Sequence, residues 1–317
     1  MTSQYDDESN GPAGKEVLMP VWDKPDPYFE VLDRLRPIVP PGKNPWRIAP
    51  DDKRVPTHKM ARTRRCLVAV HSNAIAIGSP YGSESKGLLG WFGFAFMAIT
   101  AALCSYNVVD KIESGRFGGF VFFNLIFGVF CFLFSVFFFN LVARVPPDYP
   151  ILFNKKDRTV SFFRPSSPNF FKFWKLKNSG VFTYLWDEVK VRSYKALITN
   201  AGKSFHESHY LVMLWGGMDG QGRKVAKECI PMGYFGYFED ERLFQVWEHV
   251  RRYMEEDGPP IQPGERLRKP VNNRKPMAFP PEVIAAAGGP ALSVAEVERL
   301  ARVAPEGQRE ASSVESA

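Results

Sequence analysis

Cysteine is scarce in this chain. Four residues in 317 (Cys66, Cys104, Cys131 and Cys229) match no metal-ligand spacing and suggest no disulfide scaffold, which agrees with a reducing compartment. The opening MTSQYDDESNG is acidic and has no apolar h-region, so no cleavable signal is expected. No Ser, Cys or Lys stands beside a base in a recognisable catalytic pattern, so neither enzyme activity nor a cofactor is expected. The formal net charge of +7 comes without a helix-turn-helix, zinc or RNA-binding signature, and nucleic acid is not an expected partner. The most telling absence is of charge itself. Gly87 to Val109 is 23 residues without a charged side chain, and Phe117 to Ala143 is 27, of which eleven are Phe.

At about 1.5 Å per residue, each run exceeds the roughly 30 Å hydrocarbon core of a bilayer. A transmembrane hairpin of two helices, 87–109 and 117–143, is therefore expected, with insertion directed by the first. Mean hydropathy is only −0.21 because the remaining residues are strongly polar. Basic residues flank the pair (Lys86, Arg144, Lys155, Lys156 and Arg158, with Lys59, Arg62, Arg64 and Arg65 further out), whereas the short connection Asp110–Arg116 is charge-balanced. The positive-inside rule then predicts a multi-pass membrane protein with both termini cytoplasmic. The same basic residues could meet anionic lipid at the inner surface, at about 1 kcal/mol each.

Outside the hairpin the chain divides by composition. Residues 1–59 are Pro-rich; a helical turn or two is expected at Tyr28–Leu35, before Pro37 stops it, and the rest reads as extended or irregular. Within 60–82, Cys66–Val70 and Ala74–Ile77 flank a turn-prone His-Ser-Asn and predict a β-hairpin that joins the cytosolic domain. Over 147–257, strands are expected at Ile151–Phe153, Thr159–Phe163, Val181–Leu185, Val189–Tyr194, Tyr210–Trp215 and Val225–Ile230. Short connections make them an antiparallel meander. From Asp240 to Glu256, apolar residues at spacings of three and four mark an amphipathic helix that presents Trp247 to the core, with a solvated opposite face. Asp257-Gly258-Pro259-Pro260 ends it. Residues 258–317 read as a flexible Pro/Ala-rich tail with one short helical segment, Ser293–Val303. The predicted class is an α+β membrane protein, with a cytosolic antiparallel sheet of pleckstrin-homology-like architecture, capped by a C-terminal amphipathic helix. The membrane hairpin would be inserted between the halves of the sheet.

Candidate sites are few. His206 and His209, three apart, could bind metal on a helix but read as a polar loop between strands. Gly216–Gly222 lacks the Lys-Ser/Thr of a phosphate loop and reads as a hairpin turn. Asp187 and Glu188 would point to opposite faces of a strand, which does not suit an acid–base pair. Within the spans, Asn124 and Asn140 read as a helix–helix hydrogen-bonding contact, and Ala98, Ala102 and Gly128 as points of close approach. The loop Pro165–Asn178 interleaves Phe170, Phe171, Phe173 and Trp174 with lysines, as a membrane-contact or partner-contact loop would.

The order of these features resembles a family of uncharacterised proteobacterial two-span inner-membrane proteins. The resemblance is carried by the hairpin, Ile151-Leu152-Phe153-Asn154…Arg158-Thr159-Val160, Trp186-Asp187-Glu188-Val189 and Trp247…Arg251-Arg252-Tyr253-Met254-Glu255-Glu256-Asp257-Gly258-Pro259. It covers roughly residues 55–260. Such proteins are often encoded near type VI secretion effector genes, which implies an immunity or accessory protein whose partner is a cognate toxin. The resulting expectation is an inner-membrane-anchored, protein-binding module. The alternative is a membrane-surface lipid-binding or scaffold protein.

Overall fold

The computed structural model describes residues 16–22, 24–27, 30–31, 44–79, 87–143, 148–164, 180–200, 204–237, 240–269 and 277–302. Two antiparallel helices, α1 (Gly87–Glu113) and α2 (Gly119–Ala143), form the apolar hairpin. The first is longer than the uncharged run. It continues through Asp110, Lys111 and Glu113 and closes where Ser114 Oγ donates to the Asp110 carbonyl and Gly115 takes a left-handed φ of 66°.

The rest is an α+β body of two sheets. The first, in spatial order, is β3 (Leu67–Val70), β4 (Ala74–Ile77), β5 (Ile151–Asn154), β6 (Thr159–Phe163) and β7 (Val181–Leu185), antiparallel throughout. A 3₁₀ turn at Trp186–Glu188 leads into the second sheet. There β8 (Lys190–Asn200), β9 (Ser204–Met218) and β10 (Lys224–Tyr237) form an antiparallel meander. It is flanked by β2 (Arg47–Ile48) on one side and on the other by β1 (Glu30–Val31), parallel to β10, where pairing with a sheet edge replaces the helical turn expected at Tyr28–Leu35. β8, β9 and β10 are longer than the apolar runs that announced them. His206–His209 therefore lies inside β9 and not in a loop.

The α1–α2 hairpin is inserted between β4 and β5, which pair in register from Ala74↔Asn154 to Ile77↔Ile151. A single apolar core spans both sheets and α3 (Glu241–Glu255), from Leu67, Ile75 and Phe153 to Met213, Phe244 and Val250. Trp186 and Trp247 meet at 5.2 Å between ring centroids, and Phe162 and Tyr184 stack on Trp215. Such aromatic pairs add about 0.5–1.5 kcal/mol beyond their area.

Two expectations change here. The polar face of α3 is not solvated: Gln245, Glu248, His249 and Arg251 are all buried, because residues 53–64 lie over it and Gln262 meets His249. Glu248 accepts from the Thr57 amide (3.0 Å) and from Arg251 Nε (2.8 Å) and Arg252 Nε (2.7 Å). Arg251 in turn donates to the Lys53 carbonyl (3.0 Å). The Pro-rich N-terminal segment is thus bolted to the closing helix by charge-assisted hydrogen bonds.

The second change concerns the tail. Over 258–269 and 277–302 it carries α4 (Pro281–Ala286) and α5 (Val294–Arg302) and is hydrogen-bonded to the first sheet. The Arg268, Asn73 and Leu292 amides donate to the Leu67, Ala287 and Val70 carbonyls at 2.7–2.9 Å. Phe279 and Ala287 pack on Ala74, Ala76, Leu152 and Phe163. Both faces of β4 and β5 are consequently buried. Small Ala74 and Ala76 leave room for the tail, and Gly288 (φ 89°) lies where a Cβ would press within 3 Å of Ser72 and Asn73.

Candidate membrane-facing site

The hairpin packs by close approach of small residues. A Cβ at Gly90 would overlap Val142, one at Gly93 would meet Phe138 at 3.0 Å, and one at Gly128 would meet Cys104 at 3.0 Å. Small residues let helices approach where no hydrophobic force drives them together in lipid. Ala98 and Ala102 line a cleft of about 870 Å³ between the helices, with Ser105, Asn124, Gly128 and Ser135. Asn124 does not bridge to α1 as expected. Its Nδ2 donates to the Phe120 carbonyl of its own helix (2.9 Å), and Asn140 is also buried. The outer faces are bare hydrocarbon: Phe92 is 67% exposed and Ile126 71%. Only 11% of the apolar window of α1 and 28% of that of α2 is buried, which does not resemble a core helix of a soluble domain. Both helices are long and apolar enough to cross a membrane.

Where the hairpin joins the body, a collar of polar contacts holds the connections. The Gly78 amide donates to the Cys66 carbonyl (2.8 Å), the Gly233 amide to the Gly78 carbonyl (3.1 Å) and Ser79 Oγ to the Pro231 carbonyl (3.1 Å). Buried Asp148 accepts from the Ser79 amide (3.4 Å) and pairs with Arg268 (3.6 Å). One carboxylate thus ties the strand leading into α1 to the chain emerging from α2.

The collar sorts the basic residues expected at the inner surface into two groups. Arg62, Arg64 and Arg65 precede β3 at its collar end. Arg62 and Arg65 are exposed, and the half-buried Arg64 hydrogen-bonds Gln245 Oε1. Lys59 lies further along the same segment with its side chain exposed, its amide donating to Glu16 and its carbonyl accepting from Arg252. Lys155, Lys156 and Arg158 occupy the β5–β6 turn, at the opposite end of strands that leave the collar at Ile77 and Ile151. Four residues of strand, about 13 Å, carry them away from the hairpin. Two of the three are also committed: Lys155 to Asp257 (2.5 Å), and Arg158 to Asp187 (2.5 Å) and Glu255 (2.8 Å). The Arg158 hydrogen bonds hold the Asp187 carboxyl below its ordinary pKa. That turn clamps the end of α3.

Phe170, Phe171, Phe173 and Trp174 lie outside the described residues. Missed by sequence reasoning were Arg266 and Lys269, exposed on either side of Arg268, whose amide bonds Leu67 at the collar end of β3. The Arg-Leu-Arg-Lys run at 266–269 was the available signal, hidden inside a tail read as flexible.

Residues 128–281 match the model of a family of unknown function, DUF6708. The matched stretch begins midway along α2, takes in β5–β10 and α3, and ends at the first residue of α4. It leaves out α1 and the β3–β4 hairpin that complete the first sheet. No curated protein and no solved structure matches the chain.

Proposed function

We propose that this chain is a membrane-anchored docking module, not an enzyme. In this reading α1 and α2 cross the inner membrane as a hairpin, both termini stay cytoplasmic, and the α+β body presents a binding surface for a protein at the leaflet. The observation that carries it is the insertion of the hairpin between two strands that pair in register. An anchor on a single linker would leave its domain to tumble; attachment at two points, from strands paired side by side, restrains it. The toxin-neutralising version of the partner follows from the family resemblance alone. The test is proximity labelling from the full chain in native membranes, followed by reciprocal capture. A reproducible cytoplasmic partner lost on hairpin deletion supports the reading; labelling no different from an unrelated two-span control refutes it.

A second reading, a lipid-responsive scaffold with a pleckstrin-homology-like body, is favoured by the exposed Arg62, Arg65, Arg266 and Lys269 at the collar end. Its support is the run of eight strands, β3 to β10, split by the helical hairpin after β4 and closed by α3. At about 1 kcal/mol per basic residue near an anionic surface, the full chain should melt higher in anionic than in zwitterionic nanodiscs. Replacing the four by Ser should abolish the difference. Equal melting in both lipids sinks this version and leaves the first standing.

A further inference from the structure

Where the N-terminal segment crosses the start of α3, three potential ligands converge: Glu16, His58 and Glu241, with ligand atoms all within 4.8 Å of one another. His58 Nε2 lies 3.8 Å from a carboxylate oxygen of each glutamate. That is too long for a hydrogen bond. The His58 side chain is fully buried, yet its Nε2 has no hydrogen-bond partner, and neither does Glu16 Oε2, which is equally shielded from solvent. A buried imidazole nitrogen aimed at two carboxylates with no bond formed is a costly arrangement. One divalent cation among the three atoms would satisfy them together.

We propose that Glu16, His58 and Glu241 form a binding site for a zinc-like divalent transition metal, which clasps the N-terminal segment to the first turn of α3. The donor set is one imidazole and two carboxylates, a combination that suits zinc and its neighbours better than the all-oxygen shells of Mg²⁺ and Ca²⁺. With bonds of about 2.0–2.2 Å, tetrahedral ligand atoms lie roughly 3.4 Å apart. The 3.8 Å separations at His58 need only a small closure. Glu16, the most exposed of the three at 39%, has the freedom to make it, and water would complete the shell. The other ring nitrogen is already held: His58 Nδ1 lies 2.9 Å from both the amide and the carbonyl of Met60. Donation from Nδ1 to that carbonyl leaves the Nε2 lone pair facing the glutamates, as a second-shell bond to a metal-ligating histidine does. Backbone contacts fix the partners as well. Val17 bridges His58, and the Lys59 amide donates to the Glu16 carbonyl (3.2 Å). Gln245 Nε2 donates to Glu241 Oε1 (2.9 Å).

The test uses the full chain in detergent, stripped with chelator and titrated with Zn²⁺, Co²⁺ and Mg²⁺. The proposal expects one zinc per chain, visible d–d bands of tetrahedral Co²⁺, no response to Mg²⁺ at equal concentration, and a melting temperature that rises with zinc. Glu16→Gln, at a part-exposed position where the amide keeps the shape of the side chain, should weaken zinc at least tenfold, and His58→Gln should abolish the cobalt spectrum. Stoichiometric binding unaffected by Glu16→Gln and Glu241→Gln would place the metal elsewhere and overturn the assignment. So would the absence of any cobalt spectrum in the folded wild-type chain.

Discussion

Replacing Glu248 by Gln tests whether the polar face of α3 is a structural lock. The side chain is fully buried and binds Arg251 Nη2 at 2.7 Å, Arg252 Nε at 2.7 Å and both the amide and hydroxyl of Thr57. Arg251 is 1% exposed, and its other carboxylate partner, Glu256, is half open to solvent. Glu248→Gln keeps the shape and deletes the charge, leaving a guanidinium inside the protein against a neutral amide. Breaking a buried pair from one side costs about 3–5 kcal/mol, a large share of the 5–15 kcal/mol typical of a domain. For a body of this size that is a loss of roughly 6–20 °C in melting temperature, readable by the fluorescence of Trp186 and Trp247, which meet at 5.2 Å in the same core. The double variant Glu248→Met with Arg251→Met removes both charges and should recover most of the loss. A single-variant shift below about 2 °C, or a double variant worse than the sum of the singles, would refute the lock.

Acid should loosen the same region. Burial pushes His249 down to about 4 from 6.5, so the folded state excludes a proton that the unfolded chain binds. Its contribution is intact above pH 6.5 and is lost as pH falls toward 4, at a cost of order 3 kcal/mol; His249→Gln should flatten that limb of a melting-versus-pH curve. Burial alone would raise the Glu248 carboxyl, but hydrogen bonds from Arg251, Thr57 and Arg252 outweigh it and hold the pKa below 4.5, so its contribution disappears at still lower pH. Gly90→Leu should force the hairpin apart at Val142 and cost about 1–3 kcal/mol, read as lost cross-linking between cysteines placed at Phe94 and Phe139 in a cysteine-free background. Gly288→Ala, at φ 89° against Ser72 and Asn73, should cost a similar amount and speed limited proteolysis within 277–302 without unfolding the core.

Much of the architecture was legible because it is written in composition. Charge-free runs cannot hide over more than twenty residues, and β-rich segments between turn residues marked all eight strands from β3 to β10. Strand ends were less legible. β8 and β9 run on through Lys195 and Glu207, which pair at 3.1 Å and look like loop residues to any apolar count. The face of α3 was misread because periodicity reports which side of a helix is apolar and is silent about a second segment laid over the other side. The tail was misread because low hydrophobicity resembles disorder, whereas Ala74 and Ala76 offer it a flat surface that small residues can cover. Which basic residues stand near the collar was not legible, because nearness in sequence is not nearness in space. Lys155 follows α2 closely yet is carried off by β5, while Arg266 and Lys269 return to the collar from far along the chain.

Placing the hairpin between β4 and β5 also dictates an order of assembly. β4 leaves the ribosome early and, though paired with β3, cannot find its other neighbour β5 until both apolar helices and the turn between them have been made. Closing so long an intervening loop would normally carry an entropic penalty that grows with its length. Here the two helices pack on each other and bring Ile77 and Ile151 back within pairing distance, so the excursion supplies its own closure. A hairpin that fails to form leaves β3 and β4 as an orphaned ribbon and exposes the apolar edge of β5. The α+β body therefore serves as a built-in reporter of whether its own helices were correctly put in place.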